Sequence, residues 1–420
     1  MQTHSRRAFL KRAAGLAAAS TVVPYIVPAS ARGADGAVSP SERIVMGAIG
    51  IGGRGGYVMG AFMQNADVQM TAVCDVRGDR RKAAKTKADK HYENADCKPY
   101  IDFREMIERP DIDAVMIVTG ENWHAIASMY AARAGKDVYS EKPPTRTIAE
   151  GRALADTIKR LGTVYQCGTQ RRSIARFAFA TYLARSGALG ELKTLRAEGA
   201  GKISAPGYFS GAPQPLPPRE QLDWDMWLGP APWRPYNKVF LQRWKHHRDF
   251  QGGSVSEWGS HTVDLCQMAM GADNTSPTHY EYIGDTGDRI RCTYANGVDL
   301  VLIDGSWPLH VEFEGTEGSV YVDDDGNIRS KPESLLRGRT FGKGYPAEGH
   351  VRAFLNCVKT RQTPVSNAEA TQRSMATCHI ANIVLFLGRS LTWDPVKEEF
   401  VNDPEANRMR YRPMRGPWHV

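Results

Sequence analysis

The chain has few of the features that mark nucleic-acid binders, disulfide scaffolds or membrane proteins. No run of lysine and arginine interleaved with aromatics occurs, which argues against a nucleic-acid partner. The seven cysteines, at 74, 97, 167, 266, 292, 357 and 378, are odd in number and include no CxxC pair. Several sit inside apolar runs, so buried free thiols are expected, with no metal centre and no disulfide framework. Beyond the first 31 residues no stretch approaches the roughly 20 apolar residues that a membrane-spanning helix needs. The formal charge of +8 is partly local: Arg6, Arg7, Lys11 and Arg12 precede Arg32 without an acidic residue among them, and the remainder carries 50 basic against 46 acidic residues. What is present is ordinary for a globular protein: 42% hydrophobic and 24% charged residues, in a chain of 420, long enough for two domains.

The N-terminus reads as a targeting segment. Ser5-Arg6-Arg7-Ala8-Phe9-Leu10-Lys11 precedes a weakly apolar stretch from Ala13 to Val27, interrupted by Pro24 and closed by Ala29-Ser30-Ala31. Twin arginines ahead of a short apolar region and a small-residue cleavage site predict a Tat signal over 1–31, in preference to an ordinary secretory signal. The expectation is a periplasmic or secreted protein that engages the Tat translocon during export, with residues 32–42 as a linker.

A strand pattern at 44–49 then runs into Gly50-Ile51-Gly52-Gly53-Arg54-Gly55. A GxGxxG alone is weak evidence. Here a strand precedes it, a helix pattern at 57–64 follows, and a second strand at 68–74 ends on Asp75, 20 residues after Gly55. That is the dinucleotide-binding fingerprint in its required context. Gly50 permits the turn, Gly52 lets a pyrophosphate approach the backbone, and Gly55 lets helix and strand pack closely. Ile51 and Arg54 share the turn and join the expected cofactor contacts. Asp75 suits ribose hydroxyls and favours NAD over NADP, while Arg77 offers a competing partner for a 2′-phosphate.

Strand patterns at 113–119, 137–140 and 163–167 alternate with helix patterns at 126–134 and 148–161, which implies a parallel sheet. Ligands bind such sheets beyond the carboxyl ends of the strands. Gly50, Asp75, Thr119, Asn122, His124, Glu141 and Lys142 all fall at that edge. The predicted fold class is α/β, with an N-terminal Rossmann domain at 43–167. Past 168, strands at 191–200, 288–294, 298–303, 310–314 and 319–322, with helices at 172–186, 260–270 and 368–387, predict a second α/β domain.

Together the motifs resemble the Gfo/Idh/MocA oxidoreductases of the secreted branch. GIGGRG, CDVR, Asn122-Trp123-His124 and Glu141-Lys142-Pro143 fit that family's first domain. Gly168-Thr169-Gln170-Arg171-Arg172-Ser173, Leu222-Asp223-Trp224 through Pro232, and Gly252-Gly253 followed by Trp258-Gly259-Ser260-His261 and Asp264 fit its second. The resemblance implies an open, mostly antiparallel sheet in the domain at 168–420, which binds substrate and packs against another subunit in a homo-oligomer. It also implies a cis Lys142–Pro143 bond, Lys142 as the base for a substrate hydroxyl, and His261 as a second acid–base group. Glu257 stands where the family usually has Asp, four residues before His261, and is expected to orient that histidine or take no part. His246 and His247 read as loop residues, and Trp224, Trp227, Trp233 and Trp244 mainly as packing.

The expected activity is nicotinamide-dependent oxidation or reduction of a sugar, glycoside or cyclic polyol hydroxyl. An exported protein has no free nicotinamide pool, so a tightly held NAD recycled in place is expected. An NAD-dependent glycoside hydrolase or lyase working through a keto intermediate is one alternative; a non-catalytic sugar-binding protein is the other.

Overall fold

The computed structural model describes residues 38–200, 207–285 and 287–419, so the predicted Tat signal and residues 32–37 of the linker lie outside the described residues. The chain divides into Met1–Arg43, whose described end holds the single 3-10 turn Pro40–Glu42, and a compact unit Ile44–Val420.

The compact unit opens with strands β1 (Ile44–Ile49), β2 (Val68–Cys74), β3 (Lys98–Tyr100), β4 (Ala114–Ile117), β5 (Asp137–Ser140) and β6 (Tyr165–Cys167). They form one sheet in the order β3-β2-β1-β4-β5-β6, with every pairing parallel. β4 and β5 are buried along their whole length, as strands covered on both faces must be. The crossovers carry helices α1 (Gly53–Met63), α2 (Gly78–Tyr92), α3 (Phe103–Ile107), α4 (Glu121–Arg133) and α5 (Ile148–Leu161). The Thr147 side chain caps α5 by accepting from the Glu150 amide, and Gly162 ends it at φ +65°.

The second sheet contains β7 (Leu192–Ala200), β8 (His279–Tyr282), β9 (Asp288–Thr293), β10 (Asp299–Gly305), β11 (His310–Gly315), β12 (Ser319–Asp323), β13 (Ile328–Lys331), β14 (Leu391–Asp394) and β15 (Glu399–Phe400). Its order is β13-β12-β11-β7-β10-β9-β8-β14-β15, and only the β7–β10 pairing is parallel. The expected open, mostly antiparallel sheet is therefore present. Alternation along the strands sorts its faces. Val320, Phe313, Leu195, Leu300, Cys292 and Tyr280 are direct cross-strand neighbours and fully buried. They pack with helices α6 (Ala175–Arg185), α7 (Gly253–Met270) and α9 (Ala368–Leu387) into one core. One residue along each strand, the opposite face reads Arg329, Tyr321, Glu312, Arg196, Val301, Arg291 and Glu281. Helix α8 (Glu348–Thr360) returns to the first domain, where Val351, Phe354 and Leu355 join the core beside α1.

The expected strands are all present, joined by the unexpected β3, β8, β13, β14 and β15, whereas four helices differ at their starts, α6 at Ala175 instead of 172 and three by more. α1 begins at Gly53 instead of 57, α4 at Glu121 instead of 126, and α7 at Gly253 instead of 260. Glycine is a poor helix former, and the glycine-rich leads of α1 and α7 read as loop for that reason. The long, largely polar α2 has only Ala84 and Ala88 buried, too thin a stripe to show as a period.

Candidate active site

The two sheets meet over a cleft of about 590 Å³. Its walls come from the β1–α1 turn, the start of α4, the segment after β5, and α7. Of the sequence-predicted contacts, Gly50, Gly52, Arg54, Gly55, Asp75, Thr119, Asn122, His124, Glu141, Lys142, Glu257 and His261 line it. Ile51 does not. The apolar side chain turns into the core, leaving only its backbone at the turn, where its amide donates to Asp75 Oδ2 at 2.7 Å.

The turn is shaped for a dinucleotide. Gly50 sits at φ +79°, and a Cβ there would stand 2.7 Å from the Val118 carbonyl oxygen. A Cβ on Gly55 would stand 2.3 Å from the Gly50 carbonyl oxygen, so β1 and α1 can approach this closely only without a side chain. Gly53 faces open space, and the first amides of α1 have no intrahelical partner. This donor-rich, side-chain-free cradle fits a pyrophosphate.

Asp75 is 5% exposed, with Oδ1 accepting from the Arg77 amide at 2.9 Å and Oδ2 from Ile51. It braces the turn, a role its spacing did not reveal. Burial pushes its carboxyl up, against the pull of those two amides. The guanidinium of Arg77 is committed to Asp79, with its closer contact at 2.6 Å. The cation at the cleft is Arg80, one helical turn later, whose Nη1 would lie 3.2 Å from a Cβ on Gly52. Because α2 was not legible, neither was Arg80.

The segment after β5 carries the chemistry. Glu141 is buried and held by Arg54, with Nη2 at 2.7 Å. The Lys142–Pro143 bond is cis. His124 lies with Nδ1 2.6 Å from the Pro143 carbonyl and Nε2 3.2 Å from the Thr119 carbonyl, which makes its ring a bracket for the Lys142 segment. Asn122 likewise donates to the Leu228 carbonyl at 3.2 Å. Lys142 Nζ donates to the Glu257 backbone carbonyl at 2.9 Å, stands 3.3 Å from Glu257 Oε1, and lies 4.9 Å over the Trp258 ring. Burial lowers its pKa; Glu257 and Glu141 oppose that shift, and Lys245 reinforces it.

The expected Glu257–His261 partnership is not formed. Glu257 instead accepts from Lys245 at 3.0 Å and Gln251 at 3.2 Å, and faces Lys142. Burial would raise its carboxyl, but the two lysines prevail and hold it at about 2. Two cations draw the longer glutamate away from the histidine on the next turn. His261 is left with Nδ1 buried and without a hydrogen-bond partner. Burial and the charges of Arg171, Lys142 and Arg54 hold its pKa well below the usual value, so the ring is neutral. A buried, unpartnered ring nitrogen on a residue that lines the cleft is the second sign that this site is built for a bound group.

Other residues were missed or misjudged. Arg171, quoted only as part of a motif, reaches the cleft while bonded to Asp324 at 2.6 Å and the Tyr345 hydroxyl at 2.7 Å. Its neighbour Arg172 grips Asp264 with contacts of 2.7 and 2.8 Å, so two of the quoted motifs bind each other. His247 is buried against Arg234 at 2.8 Å, while His246 is exposed, so the adjacent histidines part company. Trp224 stacks on Trp227 at 4.7 Å, as packing predicts, and Trp244 lines the cleft. All seven cysteines are free, six of them buried.

Residues 44–169 match the family described as "Oxidoreductase family, NAD-binding Rossmann fold", and residues 200–420 match its "C-terminal alpha/beta domain". The chain belongs to the Gfo/Idh/MocA oxidoreductase family. It is similar to the scyllo-inositol 2-dehydrogenase (NAD(+)) of Bacillus subtilis, 25% identical over 297 residues, 64% of this chain and 74% of that protein. It is also similar to the alpha-N-acetylgalactosaminidase of Shewanella oneidensis, 30% identical over 180 residues, but spans only 38% of that protein's length and 38% of its own. Among solved structures, the aldose-aldose oxidoreductase from Caulobacter crescentus complexed with glycerol superposes with TM-score 0.61 at 18% identity, covering 83% of this chain and 99% of that one. At that identity the likeness speaks for the fold. The family membership establishes a nicotinamide-dependent oxidoreductase whose cofactor is NAD.

Proposed function

We propose that this oxidoreductase acts on a ring hydroxyl of a sugar, glycoside or cyclic polyol, after Tat export, with NAD held tightly and reused within each turnover. The observation that carries the reading is one cleft holding a dinucleotide cradle, a lysine with a lowered pKa and a neutral, unpartnered histidine. The inositol-dehydrogenase relative supports the substrate class.

Bound NAD supplies hydride acceptance and donation. Lys142 does the proton work at the reacting oxygen: as the free amine it takes the hydroxyl proton on oxidation, and as ammonium it returns one on reduction. Glu257 and Trp258 keep the amine aimed into the cleft through the contacts at 2.9 and 4.9 Å. His261, neutral and lining the cleft, serves a second proton transfer and works without Glu257 as its orienter. Arg54 and Glu141 fix the strand end from which Lys142 projects.

The glycosidase-type alternative draws on the same pair of groups. Removing a proton beside a transient ketone requires a neutral base distinct from Lys142, and His261 is one. The galactosaminidase relative supports this second reading, and the shared length of only 38% weakens it. A purely sugar-binding role leaves the lowered pKa of Lys142 without a use.

The test is turnover of sugars and glycosides by the mature protein with no added NAD, after mass analysis of the dinucleotide released on denaturation. Bound NAD and turnover without added cofactor are expected. Lys142→Ala should cost about 10²–10⁴-fold in rate while the dinucleotide stays bound. Full activity in that variant overturns the role of Lys142; a stoichiometric demand for free NAD overturns reuse and leaves a simple dehydrogenase.

A further inference from the structure

Three aromatic rings run outward from Lys142. Trp258, on α7, lies directly beneath the amine, 4.9 Å from Nζ to ring centroid. Trp307, in the connection from β10 to β11, meets Trp258 edge-on at 5.8 Å between centroids. Tyr345 follows at 5.7 Å from Trp307, its hydroxyl held by Arg171. All three line the cleft, yet they differ in exposure: Trp258 and Tyr345 are half-buried, whereas Trp307 is 53% exposed.

An indole 53% exposed while lining a cleft keeps much of its surface available to a ligand. Edge-on contact with Trp258 and a tilted contact with Tyr345 hold its plane, while about half of its surface stays open. Aromatic faces of this kind take flat, C–H-rich partners, and polar groups nearby fix their orientation. The polar groups here are donors and a carboxylate: Lys142 and Arg171 flank the row, and Glu257 Oε1 lies 3.3 Å from the Lys142 amine. A ligand with an apolar ring face and an oxygen-rich edge satisfies both requirements, and a pyranose has both. A ring held beside Lys142 presents its hydroxyl to the amine, leaving Trp307, the exposed platform in the row, for a ring linked to the first.

We propose that Trp307 is the floor of a second sugar subsite, so that the substrate is a glycoside of at least two rings whose non-reacting ring stacks on this indole. The inference rests on the sugar-oxidoreductase reading above and narrows it from a free monosaccharide or polyol to a linked one.

The experiment uses the purified mature protein with its dinucleotide. Saturation-transfer NMR and titration calorimetry are run against matched pairs: glucose with cellobiose and maltose, galactose with lactose and melibiose, and N-acetylglucosamine with chitobiose. For at least one pair, the disaccharide should bind more tightly than its monosaccharide. Trp307→Ala should erase that advantage, a loss of about 3- to 10-fold for the disaccharide alone, and Trp307→Phe should restore most of it. As an exposed residue, Trp307 can be truncated without opening a core. Monosaccharide binding with no disaccharide advantage, or an advantage that survives Trp307→Ala, overturns the subsite and leaves the broader reading intact. Silence from every sugar of either size overturns both. If Trp307→Ala changes the sedimentation coefficient and not sugar affinity, the indole is a subunit contact and the subsite is wrong.

Discussion

Lys142 has to lose a proton to act as a base, and its neighbours pull on that proton in both directions. Burial favours the neutral amine, Glu257 and Glu141 favour the ammonium, and Lys245 competes for Glu257 from the cleft mouth, where it is 55% exposed. Removing Lys245 leaves Glu257 to Lys142 alone. Lys245→Met should therefore raise the pKa of Lys142 and move the rising limb of the pH–rate profile to higher pH. It should also raise Glu257 from its value of about 2. The shift can be read without substrate, from the pH dependence of the ¹³C-dimethyl-lysine NMR signal of Lys142. An unchanged or lowered Lys142 pKa would show that Lys245 has no hold on the shared carboxylate. At this scale the motif residues were legible. Glu141, Lys142 and His261 carry their identity in short runs, and all three reach the cleft. Lys245 and Arg80 were not, because nothing in a local run of residues says which cation will meet a carboxylate 12 positions later or a glycine 28 positions earlier.

Between elements, the most telling link is Glu121. It opens α4, is fully buried, and accepts from the Gly252 amide at 2.9 Å and the Ser256 hydroxyl at 3.0 Å at the start of α7. It thus ties the first domain to the helix bearing Glu257 and His261. Burial pushes its carboxyl up to about 7, against the pull of Arg146 and those two donors; Glu257 adds to the rise. A carboxyl raised on folding binds its proton more tightly in the folded chain. Its stabilising share is complete below the ordinary 4.5 and lost as pH rises through about 7. The loss is on the order of 3 kcal/mol. In Glu121→Gln the amide oxygen can still accept from Gly252 and the amino group can donate to Ser256, while the titration disappears. Thermal unfolding between about pH 5 and pH 8 should fall less steeply in that variant; equal slopes would mean Glu121 does not titrate there. Element types were legible where burial is one-sided or complete. β1, β2, β5, α5 and the long α9 agree with their apolar patterns end to end. Helix starts were not, because the glycines that lead α1 and α7 are kept for close approach and tertiary contacts override their poor propensity.

At the scale of the whole molecule, the nine-stranded sheet has one face buried under helices and one bearing the row Arg329–Tyr321–Glu312–Arg196–Val301–Arg291–Glu281. Neighbours in that row compensate one another: Arg291 pairs with Glu281 at 2.9 Å, and the Arg329 guanidinium lies 4.2 Å over Tyr321. The family resemblance implied such a sheet, and strand patterns joined by turns supported it, but neither revealed its strand order, because β7 pairs with β10 and β11 across more than 90 residues of chain. A homo-oligomer with this sheet as its contact, which the family resemblance implies, would carry a physical signature. A contact built mainly on alternating charges gains more from ion pairing than from apolar burial. Salt shortens the reach of such interactions from about 10 Å at 0.1 M to about 3 Å at 1 M. Sedimentation velocity of the mature protein should therefore show an assembly at low salt that dissociates as salt approaches about 1 M, with Arg196→Glu weakening it at low salt. An assembly indifferent to both would rest on another surface, and this face would then be solvent-exposed with its charges paired along the strands.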